Sequence, residues 1–297
     1  MGKKDSFFDI ISLKRLNKMA EEAMEIERDD ALKAGALGYL HRGMTLCSMP
    51  YKDLKENTFY TRSNGTWEIQ IFGSPKYGLP YGNIPRLLYI YLGTEAVRTQ
   101  SPQIHLGSSL NDFLEKLGLT RCGGSRGDIT RLNNQIKRLF SSKIILTFTD
   151  KHGEHDKYLN IADEMLIFWD NKNPLQRSFW ESYITLNSTH FNELIKSPVP
   201  IDLRIVKELK SSALELDIYF WLSHRMFYLH KPTLIPYEML QMQFGSEYKR
   251  LRDFKKKFLI SFKKVLIFWP DLNFSEEKKG LRLSPSRLLI KPTPKKK

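Results

Sequence analysis

Twice along this chain a helical stripe of apolar residues is backed by a face crowded with basic ones. That pairing restricts the fold more than any other feature of the sequence. After Asp128, the residues Ile129, Leu132, Ile136, Leu139 and Phe140 recur on one face of a helix, opposite Thr130, Arg131, Asn133, Asn134, Gln135, Lys137 and Arg138. Between Glu247 and Lys264, Leu251, Phe254, Phe258 and Phe262 turn inward, while Lys249, Arg250, Arg252, Lys255, Lys256 and Lys257 crowd the outside. These patterns predict two basic helices, near residues 128–142 and 247–264. The charge follows them: residues 121–143 hold 6 basic and 1 acidic side chains, and residues 247–297 hold 16 and 5. The whole chain is +14, so the remaining 223 residues together carry −2. Cations packed this closely repel one another unless a polyanion lies beside them, and each one set against a phosphate releases condensed counterions.

A chain of 297 residues is long enough for two domains, and 41% hydrophobic with 12% aromatic residues supplies packed cores and excludes wholesale disorder. No run of about 18 uncharged apolar residues occurs, and Lys14 and Arg15 interrupt the amino-terminal segment before a signal-peptide core is complete. The expectation is a cytoplasmic protein with no membrane partner. Cys47 and Cys122 stand in no metal-ligand spacing and are expected as core thiols, without a disulfide framework or zinc.

The order of elements suggests an architecture. Residues 5–34 have the spacing of an amphipathic helix, which could pair with a partner or second copy, pack on its own domain or form a loose arm. Thr66 to Phe72 alternates as a half-buried strand, and Pro85 opens a helix ending near Thr99. Ile104 to Leu106 forms a short strand; Ser108 or Ser109 then caps a helix stopped by Gly118, and Asp128 caps the first basic helix. Strands over Lys143–Thr149 and Tyr158–Trp169 flank a polar tip at 150–157. After a polar stretch at 170–174 the plan repeats, with helices near Leu203–Lys210 and Ala213–Phe227, a short helix opened by Pro236, and the second basic helix. Strands Val265–Trp269 and Leu281–Ile290 complete the second half. Helix, strand, helix, helix and hairpin is the winged-helix order. The expected class is α+β, with tandem winged-helix domains that are helix-rich with small hairpin wings. The expected divisions are an amino-terminal helical arm over 1–34, a first domain over 35–172 and a second over 173–297 with a basic tail. The boundary falls near 170–180.

A helix that reads a major groove needs side chains for base edges, others for phosphates, and an apolar back. Arg131, Asn133, Asn134 and Gln135 suit base reading, and the Lys and Arg residues of the second helix suit anchoring. The chain contains no GxxxxGK[ST], GxSxG or HExxH string. His152 and His155 with Tyr158 would suggest a metal-assisted nickase, but such enzymes space their two histidines by one residue, and these stand three apart on a polar tip. A duplex-DNA binder without catalysis, cofactor or metal is therefore expected; a winged-helix transcriptional repressor is the alternative in the same fold class.

The strings GALGYLHRGM (35–44), FYTRSNG (59–65), GLPYGNIPRLLYIYLGTEAVRTQS (78–101), IHLGSSLNDFLEKLGL (104–119), GGSRGDITRLNNQIKRLFSS (123–142), SPVPIDLRIVKELKSSALELDIYFWLSHRM (197–226) and IPYEMLQMQFGSEYKRLRDFKKKFL (235–259) resemble the RepA family of plasmid replication initiators. The resemblance covers about residues 35–290. It implies binding to directly repeated sites (iterons) in a bacterial plasmid origin, local melting, and recruitment of the host initiator and replicative helicase. It also implies autoregulation and a switch between monomer and dimer, with the first domain contributing to dimerisation and DNA contact and the second being the main DNA-binding domain. Carried onto this chain, the DNA-facing residues are Arg126, Thr130, Arg131, Asn134 and Arg138 in the first helix. In the second they are Lys249, Arg250, Arg252, Lys255 and Lys256.

Overall fold

The computed structural model describes residues 13–124, 127–169, 173, 175–176, 178, 182–245 and 248–290. In chain order the elements begin with α1 (Leu13–Arg28), β1 (Leu37–His41), α2 (Gly43–Leu46), β2 (Phe59–Ser63), β3 (Trp67–Phe72), α3 (Asn83–Thr99), β4 (Gln103–Gly107) and α4 (Leu110–Lys116). There follow α5 (Asp128–Phe140), β5 (Lys143–Asp150), β6 (Gly153–Leu159), β7 (Ala162–Leu166), β8 (Ser182–Leu186), α6 (Ser188–Lys196), β9 (Pro198–Asp202) and α7 (Leu203–Leu209). The series ends with α8 (Ala213–Tyr228), β10 (Thr233–Pro236), α9 (Tyr237–Phe244), α10 (Leu251–Leu266), β11 (Phe274–Glu276) and β12 (Gly280–Leu283). The class is α+β. Two compact units are present: a larger one of Gly38–Val199 with Met242–Ser246, and a smaller one of Met1–Leu37, Pro200–Gln241 and Glu247–Lys297. The change of unit within the second half thus falls at 199/200, downstream of the 170–180 region where the polar stretch suggested a boundary.

In the larger unit β2, β3, β5 and β6 make an antiparallel sheet in that order. Its register sets Ile69 opposite Leu146 and Ile71 opposite Ile144, all four buried, so the alternating pattern of β3 becomes one face of the core. A second antiparallel sheet has the order β4-β8-β7. The expected single strand over Tyr158–Trp169 is therefore two strands in different sheets, β6 and β7. The polar run 154–157 belongs to β6 and leaves only a tight turn at the hairpin tip. Helix α3 is apolar on nearly every side and is buried accordingly, including Leu87, Leu88, Ile90, Leu92 and Ala96. Its Gly93 lets the backbone of Tyr39 approach, since a Cβ there would lie 2.5 Å from the Tyr39 carbonyl oxygen. The buried guanidinium of Arg86 is satisfied by donating to the carbonyls of Gly82 at 2.5 Å and Met49 at 2.8 Å. Ser109 caps α4 as expected, accepting the Asp112 N–H at 3.1 Å, and Gly118 ends that helix with φ +64.

In the smaller unit α8 is also buried almost all round, with Leu216, Ile218, Phe220 and Leu222 inside, and α10 packs on it. Ser212 caps α8 by accepting the Glu215 N–H at 3.3 Å. The sheet β10-β12-β11 closes the unit, its hairpin turn bounded by Glu276 and Gly280 as the sequence suggested. Val265 to Trp269, expected as a strand, instead completes α10 and the turn after it: Val265 is buried on the same stripe as Phe254, Phe258 and Phe262. The amphipathic α1 belongs to this unit. Met19 and Ile26 are buried, and Arg204 at the start of α7 donates to the Asp29 carbonyl at 2.9 Å.

Candidate nucleic-acid interface

In the larger unit, α5 forms because Leu132, Ile136 and Leu139 recur on one face, and all three are buried. Its amino-terminal cap is Gly127, not Asp128; a Cβ at Gly127 would collide with the carbonyl oxygens of Cys122 and Gly123, so the turn into the helix requires glycine. Asp128 occupies the first turn and ties the approach loop down, its Oδ2 accepting from the N–H and hydroxyl of Thr120 at 2.9 and 2.8 Å. Its other oxygen meets Arg131 at 3.0 Å, and Arg131 also donates to Asn83 Oδ1 at 2.8 Å. The Arg131 guanidinium is therefore held between two elements at the exposed start of α5. Thr130 donates its hydroxyl to the Gly124 carbonyl at 2.8 Å, and Asn134 is exposed. Arg126 lies outside the described residues.

Two polar side chains expected on the open face of α5 serve the fold. Gln135 is buried and accepts the Tyr81 N–H at 2.9 Å. Arg138 is half-buried, makes a two-pronged ion pair with Asp53 at 3.0 and 3.1 Å, donates to the Leu79 carbonyl at 3.0 Å and lies over the Tyr81 ring. Burial raises the Asp53 carboxyl, but Arg138 beside it and the Lys55 N–H outweigh that and hold it below its ordinary value. Cys122, expected in the core, is exposed, and its Sγ accepts the Asp128 N–H at 3.2 Å; Cys47 is buried as expected.

In the smaller unit the stripe of α10 is aromatic. The rings of Phe254 and Phe258 are 5.4 Å apart and those of Phe258 and Phe262 are 6.0 Å apart, all three buried. The helix begins at Leu251, so Lys249 and Arg250 are exposed in the segment that leads into it and not on the helix itself; Arg250 is its cap residue. The cations of α10 divide along its length. Near the carboxyl end, half-buried Lys264 meets the buried Glu215 at 2.8 Å, and Lys263 meets Glu276 at 3.1 Å. Towards the amino end, Arg252, Lys256 and Lys257 are exposed, and Asp253 stands 3.7 Å from Arg252 with both side chains largely exposed, a weak pairing. Lys255 lies 4.0 Å above the ring of Tyr237, whose hydroxyl is pushed up to about 12 by burial and by Glu276. On the hairpin, Glu277 pairs with Arg282, and Lys278 and Lys279 are exposed.

Sequence reasoning did not find Asp53, Asn83, Tyr77, Tyr81 or Tyr237, which hold the basic side chains in place. The one signal was the Tyr- and Gly-rich string YGLPYGN before α3, whose composition marks a tight turn. Among the described residues no group of three or more His, Cys, Asp or Glu could hold a metal ion, and no helix is long and apolar enough to cross a membrane.

No curated protein matches the chain. Among solved structures, the crystal structure of selenomethionine derivatives of domain 2 and domain 3 of RctB is similar, with a TM-score of 0.52 at 12% identity, covering 81% of this chain and 95% of that one. At that identity the likeness is one of fold. Residues 79–234 match the sequence profile described as plasmid encoded RepA protein, just over half of the chain. They include α3, α4 and the whole of α5, and the chain belongs to the plasmid encoded RepA protein family.

Proposed function

We propose that this protein initiates plasmid replication by binding directly repeated sites in the origin duplex, melting the adjacent DNA, recruiting the host initiator and helicase, and repressing its own gene as a dimer. Family membership supports the initiator role. The observation that carries DNA binding is the division of α10, in which an aromatic stripe faces inward, the carboxyl-end lysines are matched to carboxylates, and the amino-terminal half presents exposed cations. A helix built this way seats a cationic end against a polyanion while its other end is fixed to the fold.

Each unit is read as a winged-helix module. Support comes from the succession α3, α4, α5 and the β5-β6 hairpin in one, and α8, α9, α10 and the β11-β12 hairpin in the other. Thr130, Arg131 and Asn134 are the base readers, and Arg126 is retained among them from the family resemblance. Lys249, Arg250, Arg252, Lys255 and Lys256 anchor phosphates. Arg138, committed to Asp53, contributes by fixing α5.

The test is a titration of the full chain against a duplex carrying plasmid-origin repeats and a random duplex of equal length, over about 50 to 200 mM salt. Affinity falls steeply with salt on both, and the repeats are preferred; equal affinity for the two duplexes would sink the proposal. Arg131→Ala is expected to lower affinity for the repeats by about 1–3 kcal/mol with little change on random DNA. Single-stranded bases beside the site after addition of host initiator distinguish initiation from repression alone.

A further inference from the structure

The turn between β3 and α3 brings Lys76 to the same aromatic ring as a lysine of α5. Its backbone is closed tightly: the Gly78 N–H donates to the Ser74 carbonyl at 2.7 Å, and the Lys76 N–H donates to Ser74 Oγ at 3.2 Å. Gly78 has φ +82, and a Cβ at Gly73 would lie 2.8 Å from the Gly78 carbonyl, so both positions hold the turn in one conformation. Next to it the Arg138–Asp53 pair and the Arg138 bond to Leu79 fasten the chain to α5.

On this scaffold Lys76 lies 5.2 Å and Lys137 of α5 lies 6.0 Å from the centroid of the same Tyr77 ring. Both lysines are exposed, and among the described residues neither has a carboxylate within ion-pair distance. The ring offers each ammonium a modest attraction, which holds both lysines beside the same aromatic ring without neutralising either charge. Arg138, the adjacent cation, is already committed to Asp53. Lys137 stands three residues beyond Asn134, so the two share a face of α5. We propose that Lys76 and Lys137, gathered on Tyr77, form a clamp for a backbone phosphate of duplex DNA at the edge of the base-reading face of α5. The clamp rests on the proposed DNA-binding function and adds to it a contact off the helix. Residues 74–78 also lie outside the stretch that matches the family.

The experiment compares the full-length wild type with K76Q, K137Q, the double variant and R252Q on the repeat and random duplexes as salt is raised. The double variant is expected to bind both duplexes more weakly by the same factor, keeping the preference for repeats. Its slope of log affinity against log salt should be shallower by about 0.9, the loss of one neutralised phosphate, with each single change giving a part of that. An unchanged slope in the double variant, with a shallower one in R252Q, overturns the clamp and leaves DNA binding standing. Weakening on the repeats alone also overturns it, since that is loss of base reading. If the wild type prefers neither duplex, the initiator proposal falls, while the slopes on random DNA still decide the clamp.

Discussion

His190 stacks on His41 with ring centroids 4.8 Å apart, and Tyr89 meets it edge-on at 6.0 Å. Burial, with His41 beside it, drives its pKa down from 6.5 to about 3 against the opposing pull of Glu193, so it is neutral in the folded protein. The unfolded chain takes a proton there below pH 6.5. The associated stability is complete above that pH and is lost as pH falls towards 3. Glu193 adds a second, lower window. His41, 3.4 Å away, and Lys157, at 2.5 Å, overcome burial to bring it from 4.5 to about 2, so its contribution is present above 4.5 and is lost below. Between pH 7 and 5 only His190 of this pair acts, with an expected loss of about 2 kcal/mol. His190→Phe keeps the ring contacts and removes the titration. Urea unfolding at the two pH values should show a smaller drop for the variant by that amount, and equal drops would refute the assignment.

At the scale of elements, α10 shows how one helix can hold two kinds of lysine. Lys264→Ala leaves the Glu215 carboxylate buried without its partner and is expected to cost about 3 kcal/mol in denaturant unfolding. Lys257→Ala, in the exposed half, should leave stability within about 0.5 kcal/mol and make the salt slope of DNA binding shallower by about 0.9. If both changes cost the same stability, the division of the helix into anchored and presenting halves is wrong. The stripes of α5 and α10, the Ser109 cap and the Gly118 stop were legible in sequence because periodicity and capping are local. Arg138 was placed by the same periodicity on an open face, yet Asp53, distant in sequence, covers it. Val265 to Trp269 looked like a strand because β-branched and aromatic residues dominate there, but Val265 extends the buried stripe and packing prevailed. The polar residues 154–157 looked like a loop, and pairing with β5 makes them a strand. The pairing of β8 with β4 is likewise set by a distant partner.

For the whole molecule, the sequence set residues 1–34 apart as a helical arm that could pair with a partner, pack on its own domain or hang loose, and the structure builds α1 into the smaller unit. Met19 and Ile26 are buried there, and the backbone of Ile26 and Asp29 receives Arg204. Deleting residues 1–30 is expected to destabilise the unit that contains α10 by about 3 kcal/mol or more, from the lost apolar burial alone. The measurement is denaturant unfolding of the deleted chain; an unchanged midpoint would return α1 to the status of an appendage. This discontinuous unit also sets an order of events during synthesis. Most of the larger unit can close once residue 199 has cleared the ribosome, but α1, made first, must wait for α7, which follows that residue. Through most of translation its apolar stripe has no native surface to cover it. The nascent chain is therefore a natural client for holding chaperones, and a transcript cut short before residue 251 yields a protein with neither α10 nor a complete core around α8.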